Sequence, residues 1–94
     1  MTEVRHEKDT NRYVIEVDGE VAGYAAYTLD GETRVFDHTV VKDKFQGQGL
    51  SQPLIKAALD DTRTANIPYT ATCSAVVRFI EKNPEYALGP PERA

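Results

Sequence analysis

Polar and apolar positions alternate through the first half of the chain, and this period of two predicts β-strands. The dipeptides Asp18-Gly19 and Asp30-Gly31, which are typical of two-residue hairpin turns, separate the alternating segments. Three strands are predicted, over Arg12–Val17, Glu20–Leu29 and Thr33–Val41. Because short turns join them, they form an antiparallel meander.

Apolar positions recur at helical spacing in the second half. Proline is tolerated only in the first turn of a helix, so Pro53 predicts a helix that starts near Gly49 to Gln52. Asn66 and Pro68 end it. Its apolar face consists of Leu50, Leu54, Ile55, Ala58 and Leu59.

A fourth strand and a short helix complete the pattern. The strand is predicted over Ile67–Cys73, and because a helix leads into it we expect it to lie parallel to the third strand. The last helix is predicted over Ala75–Lys82 and ends at Asn83-Pro84. Its inward side chains are Val76, Val77, Phe79 and Ile80. The order ββββαβα or βββαβα indicates an α+β fold, an antiparallel meander followed by a βαβ unit and a short C-terminal helix.

The length of the chain predicts one domain. Its 94 residues, 40% of them hydrophobic, can support a single core. We expect the domain to span residues 1–94, with its core at about 12–86 and a frayed tail at 87–94. One cysteine excludes an internal disulfide, and no apolar run resembles a membrane span or a signal peptide. We expect a cytoplasmic protein with no membrane partner, either a monomer or a weak homodimer.

The net charge narrows the choice of partners. Eleven Lys and Arg residues against fifteen Asp and Glu residues leave a charge of −4, which argues against sequence-independent binding to nucleic acid. An anionic ligand must therefore be held by a local feature of the chain.

Such a feature stands where the third strand meets the first long helix. The segment Lys44–Ser51 contains two glycines, Gly47 and Gly49, at this junction. Free backbone N–H groups at a helix N-terminus attract anions, and glycine lets the main chain approach an oxyanion closely. We therefore expect a ligand that carries a diphosphate. A dinucleotide fingerprint would need a third glycine at Gln52, and a P-loop would need Gly-Lys followed by Ser or Thr, so neither motif fits.

The pattern Gln46-x-x-Gly49-x-Ser51 resembles the coenzyme A-binding motif of the GCN5-related N-acetyltransferases, which reads Arg or Gln, two residues, Gly, one residue, then Gly or Ala. The rest of the chain is similar to a subgroup of small stand-alone domains in that family. The matching residues are His38-Thr39, Cys73 and Pro84-Glu85-Tyr86. The resemblance extends from about Tyr13 to Tyr86 and implies a minimal acyl-CoA N-acyltransferase fold.

The resemblance also implies a binding mode for acetyl-coenzyme A (acetyl-CoA), with no metal. Main-chain amides of the loop would hold the pyrophosphate, and the backbone of the preceding strand would pair with the pantetheine arm. Gln46 would shape the loop, and the Ser51 hydroxyl could donate to a phosphate or cap the helix. The binding residues would be Thr39, Val40, Val41, Gln46, Gly47, Gln48, Gly49, Leu50 and Ser51. Lys42, Lys44 and Lys56 either counter the phosphates or form a solvated surface.

Cys73 is the strongest candidate for chemistry. It is predicted between the fourth strand and the last helix, where the helix dipole favours a thiolate. Family members commonly have a tyrosine acid about seven residues further on, but Ile80 stands there in this chain. The subgroup implies an acetyl-cysteine intermediate instead. The alternative is a cysteine that serves only as a small apolar packing residue.

His38 is the candidate base. A regular strand would place it on the face of Phe36 and Val40, where a histidine is more often a packing residue than a base. The resemblance to the subgroup implies a functional role instead, in which a neutral imidazole near Cys73 deprotonates the thiol or the acceptor amine. Other members commonly carry a glutamate two residues later, where this chain has Val40. Tyr86 either packs at the sheet end or offers a phenol, and His6, in a polar stretch, is given no role.

The sequence thus predicts an N-acetyltransferase that moves an acetyl group from acetyl-CoA to an unidentified amine. A coenzyme A-binding module without catalysis, or a protein-interaction domain in which the glycine loop is only a turn, are the alternatives.

Overall fold

The computed structural model describes residues 2–87, so most of the predicted tail lies outside the described residues. Five strands form one sheet in the order β1 to β5. They are β1 (Thr2–Glu7), β2 (Arg12–Val17), β3 (Glu20–Asp30), β4 (Thr33–Val41) and β5 (Tyr69–Ala71). The helices are α1 (Ser51–Thr64) and α2 (Ser74–Lys82), and short 3-10 turns cover Lys8–Thr10, Asp43–Phe45 and Pro84–Tyr86. No helix of the described part is long and apolar enough to cross a membrane.

The predicted α+β fold is confirmed. Strands β1 to β4 pair antiparallel, and β5 pairs parallel to β4 after the crossover through α1. The additional strand β1 decides between the two predicted orders in favour of ββββαβα. The sheet therefore changes from antiparallel to parallel pairing at β4, next to the glycine loop.

Both helices contribute to one hydrophobic core on one face of the sheet. The strand residues that face it include Tyr13, Ile15, Ala25, Tyr27 and Phe36. The alternate residues, such as Tyr24 and His38, lie on the opposite face, which no described helix covers. We call this second surface the helix-free face.

Two details of the predicted elements differ. Strand β5 has only three residues, because beyond Ala71 the N–H groups of Thr72 and Cys73 both donate to the carbonyl of Phe36 instead of continuing the ladder. Val77 was expected to point inward but is 37% exposed. Helix α2 packs through the narrower stripe of Val76 and Phe79, which is sufficient for a helix that covers the edge of a sheet.

A bulge in β4 overturns the expected position of His38. Tyr27 pairs with Phe36 and Ala26 pairs with His38, so Asp37 is an extra residue in β4. The alternation therefore changes phase at Asp37. Phe36 is buried in the core, whereas His38 lies on the helix-free face with 71% of its side chain exposed.

A buried polar network connects strands β2 and β4 to helix α1. Arg34 is 8% exposed, and its guanidinium donates to Tyr13 Oη at 2.8 Å and to Thr62 Oγ1 at 2.9 Å. Tyr13 donates in turn to Asp61 at 2.5 Å. Burial and this hydrogen bond raise the pKa of Tyr13 to about 12. No buried side-chain nitrogen or oxygen atom among the described residues lacks a hydrogen-bond partner, as a buried cation requires.

His6 belongs to the same network and has a structural role that the sequence did not indicate. Its ring stacks on Tyr13 with centroids 4.1 Å apart, and Nε2 lies 2.8 Å from Tyr27 Oη. Burial and the nearby charge of Arg34 lower the pKa of His6, although Asp61 opposes them. The folded protein therefore disfavours the imidazolium form.

Gly23 lets β3 and β4 approach closely beside the glycine loop. It pairs with Val41, and a Cβ at position 23 would lie 2.3 Å from the carbonyl oxygen of Val40. This contact involves backbone and cannot be relieved by turning a side chain.

We predict that His6 makes the fold sensitive to mild acid. Because the pKa of His6 is lowered from 6.5, the unfolded chain binds more protons below pH 6.5, and the free energy of unfolding falls as the pH drops from about 7 to 5. The loss is the difference between the free energies of unfolding at pH 7 and pH 5, each measured by denaturant titration. It should be smaller in His6→Gln than in the wild-type protein. An equal loss in the wild-type protein and in His6→Gln would contradict this explanation.

We predict that Gly23→Ala lowers the free energy of unfolding by about 1–3 kcal/mol, because β4 must move away from the new methyl group. Gly19→Asn is the control, since position 19 lies in a turn with nothing within 4 Å of an added Cβ, and asparagine tolerates its φ of 85° better than most residues do. Equal denaturation midpoints for the two variants would contradict this explanation.

Candidate functional site

The glycine loop lines an open cavity at the N-terminus of α1. Its volume is about 280 Å³, and its lining is Val41, Phe45, Gln46, Gly47, Gly49, Leu50 and Ser51. Gly47 and Gly49 have φ values of 88° and 69°, in the left-handed region that glycine adopts without strain. A Cβ at either position would meet no atom within 4 Å. Backbone conformation, rather than crowding, therefore requires glycine here.

The loop is anchored at both ends. Phe45 and Leu50 are 7% and 8% exposed and belong to the core. Between them, Gln46 Nε2 donates to the carbonyl of Val41 at 3.1 Å and so ties the loop to the end of β4. The exposed glycines are held between two buried apolar side chains, which gives the cavity a defined shape.

The N-terminus of α1 has no side-chain cap. Leu50 occupies the N-cap position and cannot accept a hydrogen bond through its side chain. In the first turn, the N–H of Gln52 donates to the carbonyl of Gly49 at 3.3 Å and Pro53 has no N–H, so the N–H of Ser51 is the one that keeps its capacity for an external acceptor. The helix dipole favours an anion there. Ser51 lies in the first turn and lines the cavity.

Strands β4 and β5 separate beyond Phe36. Their parallel pairing covers three residue pairs, Arg34 with Tyr69, Val35 with Thr70 and Phe36 with Ala71. Further along, Thr39, Val40 and Val41 pair with β3 on one side only, within the part of the chain that the structure describes. We call this stretch the open edge of β4. It offers backbone groups to an extended ligand.

Cys73 lies where the two strands part. Its backbone N–H donates to the carbonyl of Phe36 at 3.2 Å, and its Sγ lies 3.4 Å from Thr39 Oγ1 on the open edge. The residue is the N-cap of α2, in agreement with its predicted position between the fourth strand and the last helix. Thr39, rather than His38, is its neighbour from β4.

The surroundings of Cys73 favour the thiolate. Burial opposes ionisation and is the largest single influence, but Thr39 and the backbone N–H groups of Val76 and Ala75 together outweigh it, so the pKa of Cys73 is lowered. The side chain makes no regular capping hydrogen bond. As a thiol it donates to Thr39, and as a thiolate it can accept from the same hydroxyl.

His38 stands on the helix-free face beside Asp37. Its Nδ1 is 3.0 Å from Asp37 Oδ1, and Thr28 donates to Asp37 Oδ2 at 2.6 Å. The hydrogen bond from Thr28, and then the one from His38, lower the pKa of Asp37. These two hydrogen bonds fix the position of the Asp37 carboxylate next to Nδ1 of His38.

Two of the three candidate lysines have carboxylate partners. Lys44 contacts Glu20 at 3.0 Å and Lys56 contacts Asp60 at 2.9 Å. Both pairs are exposed and can rearrange at little cost. Lys42, next to the loop, has no such partner among residues 2–87.

Tyr86 packs against the core and is 6% exposed. Its ring lies 5.3 Å from that of Phe79, and its hydroxyl donates to Asp60 at 2.6 Å. This arrangement supports the packing role rather than a free phenol.

The sequence did not indicate two contacts of the site. One is the contact between Thr39 and Cys73, and the other is the set of hydrogen bonds around Asp37. Both depend on the bulge in β4, which leaves no signal in a pattern of regular alternation. The dipeptide His38-Thr39 indicated where the site lies along β4. It did not indicate which face of the sheet each of the two side chains would occupy.

Comparisons with known proteins indicate one family. A family model described as GCN5-related N-acetyl-transferase matches residues 12–88. Among curated proteins, Protein NATD1 from Bos taurus is 29% identical over 84 residues, covering 86% of this chain and 74% of that protein. Protein NATD1 from Homo sapiens is 27% identical over 84 residues, with coverage of 86% and 74%.

Solved structures show the same fold. The solution structure of a GCN5-like protein from Staphylococcus aureus aligns with a TM-score of 0.69 and 26% identity, covering 97% of this chain and 91% of that one. A protein of the GNAT family from Desulfovibrio desulfuricans aligns with a TM-score of 0.59 and 22% identity, covering 77% and 52%. Since the family model spans most of the sequence, the chain belongs to the GCN5-related N-acetyltransferase family.

Proposed function

We propose that the protein transfers an acetyl group from acetyl-CoA to an amine through an acetylated Cys73. The observation that carries the proposal is the position of Cys73, which lies at the point where β4 and β5 separate, in contact with Thr39. The open edge leads from this point to the glycine cavity. A nucleophile and a binding site for an anionic cofactor are thus joined by one extended strand.

The cavity and the open edge fit the two ends of coenzyme A. The pyrophosphate would bind the amides of Gly47 to Ser51, where the left-handed glycines leave room for close approach. The pantetheine arm would pair with Thr39, Val40 and Val41 like an added strand. These three residues span about 7 Å of extended chain, so the arm runs from the cavity toward Cys73.

The chemistry follows from the thiolate. Cys73 Sγ attacks the acetyl carbonyl, a new C–S bond forms, and the bond to the coenzyme A sulfur breaks as that sulfur leaves as a thiolate and takes a proton. An amine then attacks the acetyl-Cys73 thioester, the C–N bond forms, the C–S bond breaks, and the ammonium group loses a proton. Backbone N–H groups of the open edge can stabilise the oxyanion in both steps.

The route through Cys73 also accounts for Ile80. This half-buried side chain of α2 occupies the place where many family members have a tyrosine acid. Exchange of an acyl group between two sulfurs has a leaving group about as good as the nucleophile, so a strong acid is not needed at that step. The covalent route therefore suits a site without the tyrosine.

The same absence of the tyrosine favours one alternative, a module that binds coenzyme A without catalysis. Release of free coenzyme A in the presence of a panel of amines distinguishes the two functions. Binding of acetyl-CoA without turnover on any amine would support the alternative.

We predict that Gly49→Ala weakens the binding of acetyl-CoA about tenfold, a change of about 1.4 kcal/mol, in isothermal titration calorimetry. The new Cβ forces strain at a φ of 69° and projects from the loop that faces the pyrophosphate. Gly31→Ala is the matched control, because Gly31 has a φ of 64°, also has no atom within 4 Å of an added Cβ, and lies in the β3–β4 turn. Both variants should lose similar stability, about 1–2 kcal/mol, and only Gly49→Ala should lose affinity. Equal affinities would remove the loop from the binding site.

We predict that incubation with acetyl-CoA and no amine adds one acetyl mass to the protein, and that neutral hydroxylamine removes it. The chain has a single cysteine, so the thioester can be assigned to Cys73. Cys73→Ala should abolish the adduct and lower turnover at least tenfold, while the affinity for acetyl-CoA changes little. Mass spectrometry measures the adduct and calorimetry the affinity.

The conservative variant Thr39→Val serves as a second check on the thioester. It removes the hydroxyl that contacts Sγ and should slow the formation of the adduct without preventing it. Full acetyl transfer by Cys73→Ala would assign the cysteine to packing and would favour direct attack of the amine on acetyl-CoA.

A further inference from the structure

We propose that the acceptor amine approaches from the helix-free face and that His38, positioned by Asp37, takes its proton. This inference rests on the proposed acetyl transfer. It assigns His38 to the amine rather than to Cys73, and it gives Asp37 and Thr28 a role that the sequence did not indicate.

The bulge places Asp37 and His38 together. In a regular strand, adjacent side chains point to opposite faces. The extra residue in β4 allows Asp37 to contact both His38 and Thr28, a β3 residue next to the buried Tyr27. These three polar side chains therefore form one group on the face that no described helix covers.

The chemistry of the group determines the orientation of the imidazole. An ionised carboxylate only accepts hydrogen bonds, so the 3.0 Å contact requires a proton on His38 Nδ1. In the neutral ring, Nε2 is then the basic nitrogen and points away from Asp37. Thr28 fills the other carboxylate oxygen at 2.6 Å, which limits rotation of Asp37. His38 is thus prepared to accept a proton from outside the sheet.

The two faces separate the two reactants. Thr39 and Cys73 meet on the helix side of β4, whereas His38 and Val40 lie on the helix-free side. An acetyl group on Cys73 would lie in the gap between β4 and β5, and an amine reaching it from the other side passes His38. The side chains of that side are accessible, since 71% of the His38 side chain is exposed and Val40 is 39% exposed.

The step balances within these groups. The amine lone pair forms the C–N bond to the acetyl carbon, and the electrons of the breaking C–S bond return to Cys73 as a thiolate. The proton of the ammonium passes to His38 Nε2 and then to solvent. Asp37 does not touch the reacting atoms and acts as a positioning residue.

The experiment measures the two half-reactions separately. The protein is first acetylated with acetyl-CoA, the coenzyme is removed, and glycinamide is added as the probe amine while mass spectrometry follows the loss of the acetyl group. We expect Asp37→Asn and His38→Gln to slow the reaction of acetyl-Cys73 with glycinamide at least tenfold. Both variants should still form acetyl-Cys73 at the wild-type rate. Thr28→Val should slow the loss less. Asp30→Asn is the matched control, because it removes the same charge from the far end of β3 and should change neither rate.

A structural readout accompanies the kinetics. Nitrogen-15 NMR of the wild-type protein at neutral pH should show His38 as the Nδ1–H tautomer, and Asp37→Asn should shift it toward Nε2–H. A wild-type Nε2–H tautomer would overturn the proposal. The proposal would also be overturned if Asp37→Asn reacted with glycinamide at the wild-type rate. The same holds if His38→Gln slowed the formation of acetyl-Cys73 as much as it slowed the reaction with glycinamide.

The outcomes separate this inference from the proposed function. If the wild-type protein takes up no acetyl group, acetyl transfer through Cys73 fails, and with it the step assigned to His38. If acetyl-Cys73 forms and reacts with glycinamide equally fast in all variants, the proposed function stands and only the role of Asp37 and His38 fails.

Discussion

The site depends on the point at which β4 stops pairing with β5. Phe36 is the last residue of β4 in the parallel ladder, and its carbonyl accepts from both Thr72 and Cys73. The shared acceptor ends β5 and starts the turn into α2, while the bulge at Asp37 turns the rest of β4 away. One carbonyl thus determines where the gap opens and which residue stands at its apex. A regular ladder through residues 37 to 41 would leave no open edge for a ligand.

The contacts around Arg34, at the start of β4, hold the strand in place next to the gap. Arg34, two residues before Phe36, is buried among Tyr13, Tyr27 and Thr62, with its guanidinium carbon 4.7 Å from the Tyr27 ring centre. These contacts join β2, β3 and α1 to the start of β4, and His6 adds β1 through its contacts with Tyr13 and Tyr27. Because removing one partner of a buried charge is far more costly than breaking a surface pair, β4 cannot shift easily at its start. The open edge is thereby held in place without a second strand beside it.

The small size of the domain has a consequence for access. Helices α1 and α2 cover one face, and the other face of the described sheet carries only side chains of its own strands, such as Arg12 over the ring of Tyr24 at 5.1 Å. Acetyl-CoA would enter along β4 and the loop, and an amine would meet the gap from the uncovered side. On the proposed function, the two substrates would enter from different sides of the gap, and no described helix would hinder a large acceptor.

The sequence by itself determined the parts of the protein that depend on local pattern. Alternation and the turns at Asp18-Gly19 and Asp30-Gly31 specified the meander, and Pro53 with the helical repeat specified the position of α1. Gly47 and Gly49 indicated a loop whose main chain could approach an anion closely, and Cys73 was correctly placed at the start of the last helix. Strand β1 was left open, because its residues are mostly polar and none is buried, so only its pairing with β2 defines it as a strand. Tertiary structure alone decided which face each residue of β4 occupies. A bulge adds one residue to one strand and reverses every side chain beyond it, and its position depends on pairing with β3, which no pattern within β4 can reveal.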